Sequence, residues 1–206
     1  MMLIILIVFA LIFFVGMKIY QFDNSGYAKQ TGSNYVQTLA NGKAGALKKI
    51  YDVADATNSK LLLNVELEEV NRKVVADAIC VNEKGIFVIQ LYNRKGWITG
   101  DEKSYEWVEQ RYKDKVLRFP NPVHENLRVI FTLMDLHPEL KKEHFETVLV
   151  FSNDCSFQKV ELESDNVEAL KVSEVDSWMR SKKQKRLTQD EVEMIANLLL
   201  PYAKNK

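Results

Sequence analysis

The fold of this chain is decided by residues 74–93, VVADAICVNEKGIFVIQLYN, where two apolar stretches flank a short polar turn. Val74–Val81 and Gly85–Tyr92 are rich in β-branched and aromatic residues, which favours strands. The turn Asn82-Glu83-Lys84-Gly85 is short enough to join them as an antiparallel hairpin. We therefore predict that residues 74–92 form two paired strands of a sheet.

Three polar side chains interrupt the hairpin and are candidate site residues. Asp77 lies inside an apolar strand, where a carboxylate without a partner would be costly to bury. Gln90 and Tyr92 are two positions apart in the second strand, so they project on the same side. With the hairpin closed, we expect Asp77 to lie beside Gln90 and Tyr92.

The remainder of the chain predicts further helices and strands around this hairpin. Leu47, Ile50, Tyr51 and Ala54 recur at spacings of three and four, which predicts a helix. Additional elements are expected as strands at 61–67 and 147–151, a smaller hairpin at 96–100 and 106–112, and helices after Pro122, at 172–179 and at 188–202. This order predicts the α/β class, with a mixed central sheet flanked by helices.

The N-terminus predicts one transmembrane helix before that domain. Residues 1–17, MMLIILIVFALIFFVGM, carry no charged side chain, and a helix through residue 20 spans roughly one bilayer core of ~30 Å. No Lys or Arg precedes the apolar run and a small-residue cleavage site is lacking, so we favour an anchor over a signal peptide or a core helix. Basic residues from Lys18 onward predict a single-pass protein of the cell membrane with a cytoplasmic domain. We assign residues 1–20 to the anchor, 21–41 to a polar tether and 42–206 to the domain.

Composition excludes several classes of protein. Lys and Arg total 28, equal to Asp and Glu, so the net charge does not indicate a nucleic-acid or acidic-membrane binder. Cys80 and Cys155 are too few for a disulfide framework and are expected to be buried thiols. The three histidines share no metal-ligand spacing, and no nucleophile elbow supports Ser-His-Asp chemistry.

Six short motifs, in order and spacing, resemble the NERD (nuclease-related) domain of the PD-(D/E)xK nuclease superfamily. The resemblance covers roughly residues 40–155, with core motifs in 42–155. The matching segments are Gly42-Lys43-Ala44-Gly45-Ala46, Val75-Ala76-Asp77, 85–93, Gly96-Trp97-Ile98-Thr99-Gly100, 121–126 and Val148-Leu149-Val150-Phe151. The resemblance implies a restriction-endonuclease-like fold and a site in which carboxylates hold a divalent cation, usually Mg²⁺, while a lysine supports the attacking water.

The family's active-site pattern is incomplete in this chain. Asp77 matches the family aspartate, but Ala46 replaces the helix glutamate, Gln90 the strand glutamate and Tyr92 the lysine. Two flanking glutamines of the pattern are also replaced, by Val75 and Glu125. One carboxylate and no lysine predict weak Mg²⁺ binding and a domain that does not cut. We therefore expect no cofactor, with Mg²⁺ at Asp77 only if a nuclease site survives.

Two features leave alternatives open. Glu66, Lys73, Lys95 or Glu125 could rebuild the site around Asp77, although a solvated charge is the simpler interpretation of each. The segment 180–186 carries five basic residues that could contact anionic lipid or nucleic-acid phosphate, or simply form a solvated loop. These residues are Arg180, Lys182, Lys183, Lys185 and Arg186.

Three functions are therefore expected, in order of preference. The first is a membrane-anchored, nuclease-like domain that is inactive and serves as a binding or scaffolding module. The second is a metal-dependent nuclease acting on DNA with a site rearranged around Asp77. The third is a lipid- or protein-binding membrane protein without any nucleic-acid role. The membrane, through residues 1–20, is the one partner common to all three, and nucleic acid is a possible second.

Overall fold

A computed structural model of the chain describes residues 1–69, 72–112 and 115–204, with the backbone alone for residues 2 and 3. The end of the predicted domain, at residue 206, lies outside the described residues. The helices are α1 Met2–Asp23, α2 Gly26–Thr31, α3 Tyr35–Ala40, α4 Gly42–Ala56, α5 Pro122–Leu136, α6 Val175–Ser181 and α7 Gln189–Leu199. The strands are β1 Lys60–Glu69, β2 Arg72–Asn82, β3 Gly85–Tyr92, β4 Gly96–Asp101, β5 Glu106–Tyr112, β6 Lys115–Pro120, β7 Phe145–Phe151, β8 Cys155–Glu161 and β9 Val167–Lys171.

The central sheet is built outward from the predicted hairpin. Its strand order is β1-β2-β3-β7-β9, antiparallel from β1 to β3 and parallel from β3 to β9. The turn between β2 and β3 is tightened by the Asn82 side chain, which accepts the Lys84 amide at 2.8 Å. Gly85 has φ +146°, and a Cβ there would lie 2.8 Å from the His144 carbonyl oxygen. The predicted hairpin and the mixed sheet are confirmed.

Helices cover both faces of this sheet, as the order of elements predicts. On one face, α4 and α6 bury Ile50, Val53 and Met179 against the strands. On the other face, α5 and α7 bury Ile130 and Ile195. All seven residues of β7 are buried, in agreement with the prediction that its sequence belongs to a strand covered on both faces. The α/β class is thus confirmed.

A second sheet, with order β6-β5-β4-β8, packs beside the end of β3 and β7. The β4–β5 hairpin was expected, whereas β6 and β8 were not. A small aromatic core joins the two sheets, since Trp107 stacks on Phe151 with a centroid distance of 6.1 Å and an interplanar angle of 4°. This core closes one side of the region where the candidate residues lie.

The N-terminal segment differs in part from the predicted anchor and tether. The described side chains of helix α1 are exposed except those of Ile19 and Phe22, which are partly buried, and Ile4–Asp23 is long and apolar enough to cross a membrane. The segment 21–41 is not an irregular tether, because it contains the end of α1 together with α2 and α3. Tyr27 is fully buried and donates its hydroxyl to the Ala44 carbonyl at 2.9 Å, so this segment docks onto α4.

Candidate functional site

Asp77 lies where the β2–β3 ladder ends. The backbone pairing runs from the turn to Ala78 and Ile89 and then stops. At the next position a side chain replaces the backbone acceptor. The Leu91 amide donates to Asp77 Oδ2 at 2.8 Å. Asp77 is 7% exposed, so this bond satisfies a carboxylate that burial would otherwise penalise.

Gln90 lies beside Asp77, as the hairpin geometry predicts, but its amide faces the backbone of β2. Its Oε1 accepts the Asp77 amide at 3.2 Å, and its Nε2 donates to the Val75 carbonyl at 3.3 Å. Both ends of the side chain therefore replace missing ladder hydrogen bonds. In this arrangement the amide oxygen is used by the backbone rather than offered to a ligand.

Lys43, which the sequence analysis did not single out, completes the environment of Asp77. It belongs to the first turn of α4, where the Asn41 side chain caps the helix by accepting the Lys43 and Ala44 amides. Its Nζ lies 2.6 Å from Asp77 Oδ1. One carboxylate oxygen of Asp77 therefore accepts a backbone amide, and the other pairs with an ammonium group. The one signal in the sequence was its position inside the Gly42–Ala46 motif, which the family places beside the aspartate.

Tyr92 occupies the position of the family lysine and forms a different interaction. Its hydroxyl donates to Glu125 Oε2 at 2.8 Å, and its ring stacks on Phe151 at a centroid distance of 5.1 Å. Burial, with the negative charges of Glu125 and Asp77, raises the pKa of Tyr92 above its usual range. The phenol is therefore neutral at physiological pH and brings no positive charge to the site.

A cavity of about 290 Å³ opens beside these residues. Lys43, Ala46 and Tyr92 contribute to its wall, whereas neither Asp77 nor Gln90 does. The rest of the wall mixes apolar and polar groups from α4, β3 and the segment after β7: Gly42, Gly45, Leu91, Asn93, Val150, Ser152, Asn153, Asp154 and Val172. Lys43 therefore borders the cavity and also contacts Asp77 through its ammonium group.

The residues present do not fit a divalent cation. Mg²⁺ takes oxygen ligands, usually carboxylates, in an octahedral arrangement. Here Ala46 has no ligand atom and the Asp77 carboxylate is already bound by Lys43 and Leu91. Across residues 1–69, 72–112 and 115–204, no group of three or more His, Cys, Asp or Glu side chains converges to hold a metal ion.

Each charged residue considered for a rearranged site pairs with a group other than Asp77. Glu66 on β1 binds Lys73 and Lys204, and the hydrogen bond from Lys204 lowers the pKa of the Glu66 carboxyl. Lys95 lies 3.4 Å from Asp154, and Glu125 accepts the Tyr92 hydroxyl. These contacts leave Asp77 with Lys43 as its charged partner.

Most of the basic cluster at 180–186 forms ion pairs within the domain. Lys182 Nζ lies 2.7 Å from Glu146 Oε2, and Arg186 lies 2.9 Å from the other oxygen of the same buried carboxylate. Arg180 pairs with Asp176 at 2.9 Å and Lys185 with Glu83 at 2.8 Å. Lys183 has no ion pair within the part of the chain that the structure describes. The cluster thus ties the loop before α7 to the central sheet.

The groups around the cavity are suited to binding. An ammonium group, a neutral phenol, two side-chain amides and a serine hydroxyl border it, together with the exposed carboxylate of Asp154, which pairs with Lys95, while the buried carboxylate of Asp77 pairs with Lys43. A general base or a metal-bound hydroxide would need a carboxylate free to accept a proton or a cation. Asp77 has both oxygens occupied.

The sequence of this chain is similar to those of known proteins. The sequence model of the family described as "Nuclease-related domain" matches residues 41–152, more than half of the chain. An uncharacterized protein of Bacillus anthracis is 28% identical over 162 residues, covering 77% of this chain and 75% of that protein. No solved structure gives a significant match.

Proposed function

The chain belongs to the nuclease-related domain family, and from that premise we propose that it is a membrane-anchored, nuclease-like domain that does not cleave nucleic acid. It works as a binding or scaffolding module held at the membrane. The retained fold positions the cavity, while the chemistry that the family fold supports elsewhere has been removed. Fold alone does not carry function without the site residues.

The observation that carries this proposal is the contact between Lys43 and Asp77. In an active site of this type the aspartate would hold a divalent cation, and here an ammonium group lies 2.6 Å from the same carboxylate. A cation and an ammonium group compete for one carboxylate, because two positive charges at this distance repel strongly in a partly buried site. Lys43 thus supplies the positive charge that a metal ion would otherwise supply, without a Lewis-acidic centre.

Membrane anchoring is the second part of the proposal. Helix α1 exposes large apolar side chains around its circumference, for example Phe9 at 67% and Phe13 at 73%. An exposed apolar helix of 22 residues suits a single bilayer crossing. Lys18 and Lys29 follow the apolar stretch, so the positive-inside tendency supports a cytoplasmic domain.

The test uses the full chain in detergent micelles. Linear, supercoiled and single-stranded DNA, and RNA, are incubated with Mg²⁺ or Mn²⁺ and the wild-type chain or Asp77→Ala. We expect no cleavage that depends on Asp77. Cation-dependent cleavage by the wild type that disappears in Asp77→Ala would overturn the proposal and establish a nuclease with a rebuilt site.

A second measurement tests the site without relying on a negative activity assay. The free Mn²⁺ signal in electron paramagnetic resonance is titrated with the wild type and with a triple variant. In this variant Ala46→Glu and Gln90→Glu restore the two missing carboxylates, and Lys43→Ala removes the ammonium group that competes for Asp77. We expect the restored variant to bind Mn²⁺ and the wild type not to bind it. Wild-type binding that is lost in Asp77→Ala would contradict the role given to Lys43.

Fluorescence anisotropy with labelled DNA and RNA, on the same samples, measures whether nucleic acid is the ligand of the module.

A further inference from the structure

Helix α3 presents two large apolar side chains to solvent. Val36 is 64% exposed and Leu39 is 70% exposed. They are three residues apart, so they lie on the same side of the helix. We call this pair the Val36–Leu39 face. Two adjacent exposed apolar side chains need an occupant only where a second surface lies close to them, and the position of α3 supplies one.

The structure fixes α3 to the end of α1. The Phe22 and Tyr35 rings meet edge to face with a centroid distance of 5.5 Å, and Asp23 Oδ1 accepts the Tyr35 amide at 2.9 Å. Asn34 caps α3 through a reciprocal pair of hydrogen bonds with Gln37. The position of the Val36–Leu39 face is therefore set relative to the last turn of the apolar helix.

The length of α1 gives the depth at which α3 lies. A helix needs about 20 residues to cross the hydrocarbon core of a bilayer. Counted along the 22 residues of α1, that distance ends close to Tyr20 and Phe22. Tyr20 is 71% exposed and suits the headgroup region, where tyrosine is enriched. Because α3 packs against Phe22, it lies at the boundary between headgroups and acyl chains.

We infer that the Val36–Leu39 face is inserted into the surface of the lipid bilayer that α1 spans. The inference rests on the membrane anchoring in the proposed function and adds a second contact, with lipid as the occupant of this face. Apolar side chains of a surface helix are stabilised in the interfacial layer in this way. Lys29, exposed in α2, adds a positive charge nearby that suits anionic headgroups.

The second contact has a consequence for the candidate site. Only Asn41 separates α3 from α4, whose residues Gly42 and Lys43 line the cavity. Two points of attachment restrict rotation of the domain about the axis of α1, whereas a single flexible tether would not. The cavity is therefore held in one orientation with respect to the membrane surface.

Site-directed spin labelling tests the inference on the full chain in vesicles of neutral and anionic phospholipid. Leu39→Cys carries the label, and Met194→Cys is the matched control. Met194 is also an exposed apolar residue, at 53%, but it lies on α7 across the central sheet from α4. Cys80 and Cys155 are 1% and 2% exposed, and burial raises the pKa of the Cys80 thiol to about 12, so the native thiols should not react.

The expected result is a label at position 39 that collides more with dissolved oxygen than with a water-soluble nickel chelate, and a label at 194 with the reverse preference. Co-flotation with the vesicles, measured on the same samples, reports anchoring separately. A chain that floats while both labels behave as aqueous overturns the inference and leaves anchoring intact. A chain that does not float would contradict both the membrane anchoring and the lipid contact of the Val36–Leu39 face. Dipolar broadening at position 39 that disappears on dilution with unlabelled protein would assign the face to a second copy and overturn the lipid contact.

Discussion

At the scale of single residues, Asp77 performs a structural task. It closes the gap between β2 and β3 by accepting the Leu91 amide, and it binds the first turn of α4 through Lys43. The Lys43 side chain is 51% exposed, so solvent screens this ion pair. The hydrogen bond to the buried amide is the larger contribution, since an unpaired buried donor carries the full cost of its desolvation.

This difference predicts unequal effects of two substitutions at Asp77. Asp77→Ala leaves the Leu91 amide without its acceptor and should lower the free energy of unfolding by about 1–3 kcal/mol. Asp77→Asn keeps a side-chain oxygen for that amide and should cost clearly less, because an ion pair with a half-exposed lysine is screened by solvent and contributes about 0–1 kcal/mol. Urea unfolding of the full chain in micelles, followed by tryptophan fluorescence, measures both values.

Equal losses for the two Asp77 variants would contradict this ranking. They would show that the charge on Asp77, and with it the contact to Lys43, matters more for stability than the hydrogen bond to Leu91. A Lys43→Met variant separates the cases, since it removes the ammonium group and leaves the hydrogen bond intact. We expect its loss to be close to that of Asp77→Asn.

The sequence predicted the position of Asp77 but not its partner. Asp77, Gln90 and Tyr92 follow from strand periodicity and a short turn, which are local properties. The contact to Lys43 depends on how the first turn of α4 sits above the sheet, and a lysine near a helix start is ordinarily a solvated charge. Similarly, the pairing of the basic residues at 180–186 depends on Glu146, a buried carboxylate distant in sequence.

At the scale of elements, the alternation of β1 and β2 breaks opposite the candidate site. Leu63 packs with α4, whereas Val65 packs with α5 and α7, and the residue between them, Asn64, has φ +49°. On β2, Ala76 and Ala78 likewise lie on opposite faces, with Asp77 between them. Asn tolerates the left-handed region better than most residues. Simple alternation could not have predicted this reversal, because it assumes a period of two throughout.

Glu109, on β5, is like Asp77 a buried carboxylate with a positively charged partner. It is fully buried, and Arg111 and Arg94 bind it at 2.5 Å and 3.3 Å while the Lys95 amide donates to it at 3.1 Å. Burial by itself raises the pKa of the Glu109 carboxyl, but these three partners outweigh burial and hold the pKa below its usual range. Glu109 thus stabilises the start of β4 against β5 in its charged form.

The lowered pKa of Glu109 predicts a pH dependence of stability with a definite sign. A carboxyl whose pKa is depressed on folding stabilises the protein above its unfolded pKa of about 4.3 and loses that contribution as the pH falls through the folded value. The wild type should therefore be more stable than Glu109→Gln at neutral pH, and the gap should narrow below about pH 4. Urea unfolding of both chains across this range measures the gap, and a gap independent of pH would contradict the role of the charge.

At the scale of the whole molecule, the N-terminal apolar helix and the domain are joined by packing. Tyr27 is buried between α2 and α4, and its ring meets Tyr51 at a centroid distance of 5.5 Å. The composition of residues 21–41, rich in Ser, Asn, Gln and Gly, predicted a tether because it contains few large apolar residues. A small number of aromatic contacts is nevertheless enough to dock the segment. Composition does not reveal these contacts, because it gives the average polarity of a segment and not the positions of single aromatic residues.

Because the domain is docked to α1, the orientation of α1 predicts on which side of the membrane the domain lies. Residues 1–17 contain no Lys or Arg, whereas Lys18 and Lys29 follow the apolar stretch, so we expect the domain in the cytoplasm. In intact cells that express the Met194→Cys chain, a membrane-impermeant maleimide should leave the protein unlabelled, and permeabilisation should allow labelling. The wild type, whose two cysteines are buried, serves as the control for reaction elsewhere. Labelling of Met194→Cys before permeabilisation would place the domain outside, where the charges after α1 would have crossed the bilayer.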